Sequence, residues 1–171
     1  MPKINQYLSL SIDDLTSQSP LMLRTLERAQ KVARTNIPVF IQGETGTGKT
    51  LLAQALHNSS ARNINDFVSF NASALSETLL ESHLFGHEKG AFTGAVSQVK
   101  GKFELADQGT LFLDEIADMS SSAQAKILRA IEYGEFARLG SEKILHSDVR
   151  VISATHKNLI ELSKEDRKSV V

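Results

Sequence analysis

Apolar residues along this chain fall into two alternating rhythms. Within Leu21 to Arg34, the positions Leu23, Leu26, Ala29 and Ala33 recur at three- and four-residue spacing, which predicts a helix with one buried face. Ile37-Pro38-Val39-Phe40-Ile41 is a short, largely β-branched run leading into Gly43 and reads as a buried strand. Leu51 to His57 then continues as a helix. The alternation repeats with strands at Phe67–Phe70, Thr110–Leu113 and Val149–Ser153 and helices at Leu75–Leu84 and Ser120–Tyr133. In the last of these helices Ser120 to Ser122 offer N-caps, and Ala123, Ile127, Leu128 and Ile131 form the apolar stripe. A polar helix is expected near Asn158. Strands alternating with helices predict an α/β architecture of three layers, a parallel sheet covered on both faces. Residues 1–18 are polar and read as a linker or lead-in rather than a core element, so the domain is expected to begin near Ser19.

Two motifs give this framework its chemistry. Gly43-Glu44-Thr45-Gly46-Thr47-Gly48-Lys49-Thr50 fits the phosphate-binding pattern G-x-x-x-x-G-K-[ST] without a mismatch, between a predicted strand and a predicted helix. The glycines let backbone N–H groups approach phosphate oxygens, and the start of the helix adds its positive end. Lys49 suits the β- and γ-phosphates and the Thr50 hydroxyl suits Mg²⁺. Downstream, Leu111-Phe112-Leu113 runs into Asp114-Glu115, an apolar strand ending in two carboxylates. Asp114 would face the metal ion and Glu115 would polarise an attacking water. No N-K-x-D guanine reader accompanies the pair, so an ATPase fits better than a GTPase; a small-molecule kinase with the same P-loop remains an alternative.

Composition narrows the partners. Lys plus Arg number 19 and Asp plus Glu 20, for a net charge of −1, so there is no basic field of the kind that holds nucleic acid non-specifically. With no cysteine, disulfides and thiolate metal sites are excluded. No apolar run is long enough to span a bilayer, and the first ten residues lack a signal-peptide pattern, so the cytoplasm is the expected compartment.

Between the two motifs lies Glu81-Ser82-His83-Leu84-Phe85-Gly86-His87-Glu88-Lys89, followed by Gly90-Ala91-Phe92-Thr93-Gly94-Ala95. The last six spell GAFTGA, and with the P-loop, the Asp-Glu strand end and Ala154-Thr155-His156-Lys157-Asn158-Leu159 they make residues 19–162 resemble the AAA+ domain of the sigma-54-dependent transcription activators, the bacterial enhancer-binding proteins. That resemblance implies ATP and Mg²⁺ as cofactors, ring self-association, and ATP hydrolysis coupled to remodelling of the sigma-54 RNA polymerase holoenzyme. It implies that Gly90–Ala95 tip a surface loop that contacts sigma-54 through Phe92 and Thr93. From the residues alone, an internal turn with Phe92 buried is the competing reading. The resemblance makes Asn71 the partner that restrains Glu115, beside the simpler reading of a helix N-cap. It makes Thr155 and His156 sensors of the γ-phosphate, beside a solvated loop histidine. Phe136-Ala137-Arg138-Leu139-Gly140-Ser141 resembles a second loop supporting the first, and Lys102 and Glu104 fall at the subunit boundary. Two positions depart from the family pattern: Lys49-Thr50 stands where Lys-Glu is usual, and His83 where an acid is usual.

By the same resemblance the module is expected to continue beyond this chain, with trans-acting arginines, a helical lid and a helix-turn-helix DNA reader still to come. The core is expected over residues 19–165, and Asp166–Val171 as a non-native tail. Taken alone, such a piece would bind nucleotide with little or no turnover.

Overall fold

The computed structural model describes residues 9–73 and 75–157. Its centre is a four-stranded, wholly parallel sheet. The helices are α1 (Pro20–Ala33), α2 (Lys49–Asn58), α3 (Glu77–Phe85), α4 (Lys102–Leu105) and α5 (Ser121–Tyr133). The strands are β1 (Val39–Gln42), β2 (Phe67–Asn71), β3 (Gly86–His87), β4 (Val99–Lys100), β5 (Thr110–Asp114), β6 (Glu135–Ala137), β7 (Ile144–His146) and β8 (Arg150–Thr155). The sheet order is β1-β8-β5-β2, and β3-β4 and β6-β7 form two small antiparallel ladders.

Burial on both faces explains why the centres of the inner strands β5 and β8 are apolar. Along β5, Leu111 and Leu113 point into a core shared with α3, α4 and α5, while Phe112 points into a second core shared with α1 and α2. All three are fully buried, and each contributes about 1.5–3 kcal/mol of transfer free energy. Val151 and Ile152 on β8 divide the same way. Three layers follow directly, as the alternation of elements predicted.

Arg150, only 1% exposed, brings a charge into this setting, where Thr110 and Thr155 are also buried. Its Nη1 and Nη2 donate to the carbonyls of Ala33 and Val32 at 3.0 and 2.9 Å. These carbonyls lie at the C-terminal end of α1, where a cation also meets the negative end of the helix dipole. Burial pushes the guanidinium pKa down, with the nearby Arg62 charge adding to the effect.

The lead-in is more integrated than its polarity suggested. A 3-10 turn at Ile12–Asp14 buries Ile12 in the α1–α2 core, and the Ile12 amide donates to Ser59 Oγ. One apolar residue in a short turn has no period to read. Leu23 and Leu128, expected in helix stripes, are 46% and 54% exposed; Leu128 lines a surface groove with Phe40 of the edge strand β1. The helix expected near Asn158 and the tail lie outside the described residues. Among the described residues no helix is long and apolar enough to cross a membrane.

The base of the segment between β3 and β4 rests on a close backbone approach. A Cβ at Gly101 would stand 2.3 Å from the Phe85 carbonyl carbon and 2.4 Å from the Gly86 nitrogen, although its φ of −83° suits any residue. Gly101→Ala should therefore cost about 3 kcal/mol through overpacking and lower the melting temperature by roughly 6–12 °C. A melting temperature within about 2 °C of the parent would show that the backbones can part freely.

Candidate functional site

Parallel strands bring the two motifs to one edge of the sheet. In register, Gln42 pairs with Thr155 and Asn71 with Asp114, so β1, β8, β5 and β2 all end level at their C-terminal side. The loop after β1 turns through Glu44 and Thr47, with Thr47 Oγ1 donating to the Glu44 carbonyl at 2.8 Å. Gly48 then caps α2 at φ 87°, a left-handed conformation that costs glycine nothing. Glu44, Thr45, Gly46, Thr47, Gly48 and Thr50 are exposed, whereas Lys49 is buried. Lys49 Nζ donates to the carbonyls of Gly43 and Glu44 at 2.9 and 3.1 Å. Its charge is thus folded back over an open cradle, in no direct ion pair among the described residues though close enough to act on Glu115, at the positive end of a ten-residue helix. The donor set fits an anion of phosphate geometry.

Asp114 and Glu115 leave β5 at the same edge. Asp114 Oδ1 accepts the Glu115 amide at 3.0 Å. Glu115 sits at φ 56°, ψ 46°, one of two non-glycine residues with positive φ among those described. This backbone turn sends its side chain toward β8. There Glu115 Oε2 accepts from Thr155 Oγ1 at 3.3 Å, the His156 amide at 3.2 Å and His156 Nδ1 at 2.8 Å. An ionised carboxylate only accepts, so Nδ1 carries the hydrogen. Burial works to raise the Glu115 pKa, but the His156 hydrogen bonds and the His156 and Lys49 charges outweigh it and hold the carboxyl below its ordinary value. Beside it, Lys157 Nζ pairs with Asp118 at 2.7 Å.

Asn71 does not take part in this cluster. Its Oδ1 accepts the Ser73 amide at 2.8 Å, a local turn just past β2, on the opposite side of β5 from β8. The hydrogen-bond partners of Glu115 here are Thr155 and His156 rather than Asn71, because the left-handed backbone at Glu115 aims its carboxylate at β8. Among the described residues no cluster of three or more His, Asp or Glu groups could hold a metal ion unaided. Any Mg²⁺ would need phosphate oxygens and water beside Thr50 and Asp114.

The Gly90–Ala95 segment closes on itself. The Gly90 amide donates to the Ala95 carbonyl at 2.8 Å and the Ala95 amide to the Phe92 carbonyl at 3.0 Å. Thr93 and Gly94 are exposed and Ala95 is buried. Phe92 is neither the free anchor nor the core residue that the sequence left open: half-buried, it packs edge-on against His87 with ring centroids 5.0 Å apart. His87 is itself buried, its Nδ1 2.7 Å from Ser82 Oγ. His83 lies against Phe70 instead of an ion-pair partner, 5.9 Å between ring centroids.

Arg138 joins this segment to its neighbours. Nε and Nη2 bind Glu104 at 2.8 and 2.6 Å, and Nη1 binds Glu88 at 2.9 Å. Backbone bonds run beside it, Leu139 N–H to Gly86 and Glu88 N–H to Leu139, both at 3.0 Å. Glu104, expected at a subunit boundary, pairs with Arg138 within the chain. The 34- and 50-residue separations within this triad leave no local signal in the sequence.

The triad yields a pH dependence. Glu104 is held below 4.5 mainly by its Arg138 hydrogen bond, and Glu88 by its bonds to Gln98 and Arg138. Carboxylates with depressed folded pKa values add stability that is complete above the unfolded value and lost as pH falls through the folded one. Arg138→Met should lower the melting temperature by roughly 6–20 °C at neutral pH, the scale of removing the shared cation of two ion pairs, the one to Glu104 largely buried. The gap should hold down to pH 4.5 and close below it. A gap unchanged at pH 3, or absent at pH 7, would assign the triad no such role.

Comparison with known proteins identifies the family. The family model of the Sigma-54 interaction domain matches residues 15–169. A Nif-specific regulatory protein of Bradyrhizobium diazoefficiens is 52% identical over 160 residues, which cover 94% of this chain and 28% of that protein. The transcriptional regulatory protein GlrR of Escherichia coli is 52% identical over 145 residues, 85% of this chain and 33% of that protein. The crystal structure of NtrX from Brucella abortus in complex with ATP aligns at a TM-score of 0.81 and 36% identity, covering 95% of this chain and 34% of NtrX. The chain therefore spans about a third or less of these relatives. With its P-loop, Asp-Glu strand end and 90–95 loop placed in one fold, it belongs to the Sigma-54 interaction domain family, as the P-loop AAA+ core found in sigma-54-dependent transcriptional regulators.

Proposed function

We propose that this chain is the ATP-binding domain of a sigma-54-dependent transcriptional regulator, and that in the assembled protein it couples ATP hydrolysis to remodelling of the sigma-54 RNA polymerase holoenzyme. The observation that carries the reading is the shared sheet edge, where the amides of Gly43–Thr50, the Lys49 ammonium and the Asp114–Glu115 pair stand together.

Each residue has a task that follows from its chemistry. The Gly43, Glu44, Thr45, Gly46, Thr47 and Gly48 backbone wraps the phosphates of ATP, whose charge the α2 N-terminus favours. Lys49 leaves the carbonyls of Gly43 and Glu44 for the β- and γ-phosphate oxygens, a stronger, charge-assisted bond. Thr50 and Asp114 hold Mg²⁺, which supplies charge neutralisation on the phosphates. Glu115 takes a proton from the attacking water. Thr155 and His156 meet the terminal phosphate, and Asn71 adds a polar group at the adjoining strand end. Gly90–Ala95 present Phe92 and Thr93 to sigma-54. Ring assembly with further copies and DNA contact through another domain complete the activity. The setting is the cytoplasm.

Lys49→Ala should weaken ATP binding by roughly ten- to a hundredfold, measured by calorimetry or displacement of a fluorescent analogue. Thr93→Ala should retain ATP binding and lose nucleotide-dependent capture of purified sigma-54. ATP affinity unchanged by Lys49→Ala would remove the phosphate site. Capture of sigma-54 unchanged by Thr93→Ala would remove the loop assignment while leaving the nucleotide site standing.

A further inference from the structure

A cavity of about 510 Å³ opens between α5 and the β6–β7 hairpin, sharing no residue with the phosphate cradle or with the Asp114–Glu115 strand end. That volume suits a small organic ligand. Its floor is apolar: Phe85 and Phe136 are buried and tilted against each other, with ring centroids 6.2 Å apart. Leu139 and Ile144 add aliphatic walls, and Ile144 is left 52% exposed opposite Ala137 in the hairpin register. Apolar recesses left open to water in this way mark ligand or partner sites.

Charge narrows what the recess can hold. Three cations and one acid also line it. Arg138 is engaged by Glu104 and Glu88, and Lys126 Nζ pairs with Glu81 at 2.6 Å. The acid, Glu135, lies 3.9 Å from His146 Nδ1 on the neighbouring strand. Arg129, exposed on α5, is in no ion pair among the described residues. A guanidinium without a carboxylate partner, beside an apolar recess, suits a planar anionic head on an apolar body, because guanidinium and carboxylate form two parallel bonds.

The cavity shares a wall with the Gly90–Ala95 segment. Gly140 lines the cavity and also approaches Ala91: a Cβ at Gly140, whose φ is 75°, would stand 2.8 Å from the Ala91 Cβ. Leu139, in the same wall, donates its amide to Gly86 and accepts from Glu88, both at 3.0 Å. We propose that this cavity binds a small amphipathic carboxylate, and that the bound ligand stiffens the Gly90–Ala95 segment from behind. Arg129 holds the anionic head, and Phe85, Phe136 and Ile144 take the apolar body. The cavity and its ligand do not depend on ATP at Gly43–Thr50.

Anilinonaphthalene sulfonate, an aromatic body with one anionic head, serves as the fluorescent probe, with and without excess ADP. The parent chain should show saturable binding that ADP leaves in place. Phenylbutyrate should displace the probe roughly tenfold better than the uncharged phenylbutanol. Arg129→Gln should weaken the probe roughly tenfold. Ile144→Trp, which fills the recess from a half-exposed position, should abolish saturable binding with the melting temperature within about 2 °C of the parent. With phenylbutyrate bound, amide exchange across residues 86–95 should slow in the parent and not in Ile144→Trp. Probe binding indifferent to both substitutions, or removed by ADP, would place the probe elsewhere and overturn the site. Equal displacement by phenylbutanol would overturn the carboxylate. Probe binding that appears only in paired chains by sedimentation velocity would make the recess a contact between copies, and that too overturns the site. Unchanged exchange at residues 86–95 with phenylbutyrate bound would overturn the stiffening.

Discussion

Everything at the site depends on the register of the parallel sheet. β5 is held between β2 and β8 with Leu111, Phe112 and Leu113 fully buried, two facing one core and one facing the other. A slip of one residue would exchange these faces and place Phe112 where leucines now pack against α3 and α5, so the register is strongly determined. Once it is set, Asp114 stands level with Asn71, and Thr155 level with Gln42. Charged and polar groups from distant parts of the chain then meet at one edge without any local instruction to do so. Apolar burial positions the polar site.

A second set of interactions links that edge to the Gly90–Ala95 segment. α5 packs under β5 through Ala123 and Ile127 and hands the chain to β6, which leads directly into Arg138. Arg138 grips Glu104 at the start of α4 and Glu88 just beyond β3, bracketing the segment at both ends of its base. Nearby, Phe85, Phe103 and Phe136 pack ring to ring, with centroids 5.5 to 6.2 Å apart. The contacts between β6 and the loop are thus a packed aromatic cluster and a bidentate ion pair rather than a flexible tether.

The features legible in the sequence are those with a period or a fixed spacing. α1, α2, α3, α5 and the four sheet strands lie within a few residues of their expected bounds, since burial of one helix stripe or of whole strands leaves a regular mark. The P-loop and the Asp114–Glu115 strand end were legible because phosphate chemistry demands particular residues in order. The two-residue strands β3 and β4 and the three-residue strands β6 and β7 were not, being too short to show any alternation. Nor was Ile12, a lone apolar residue in a polar stretch that nevertheless reaches the core. At the site, the partner of Glu115 turns on a positive φ at a non-glycine residue, which composition and spacing do not reveal.

Amide hydrogen exchange of the nucleotide-free chain, compared with the chain saturated by Mg·ADP or Mg·AMP-PNP, tests most directly whether phosphate at the sheet edge is communicated to the loop. Both nucleotides should protect residues 43–50, and AMP-PNP alone should change exchange across residues 86–101. Protection at 43–50 with identical behaviour at 86–101 in the two complexes would contradict the coupling, and the absence of protection at 43–50 would contradict the site itself.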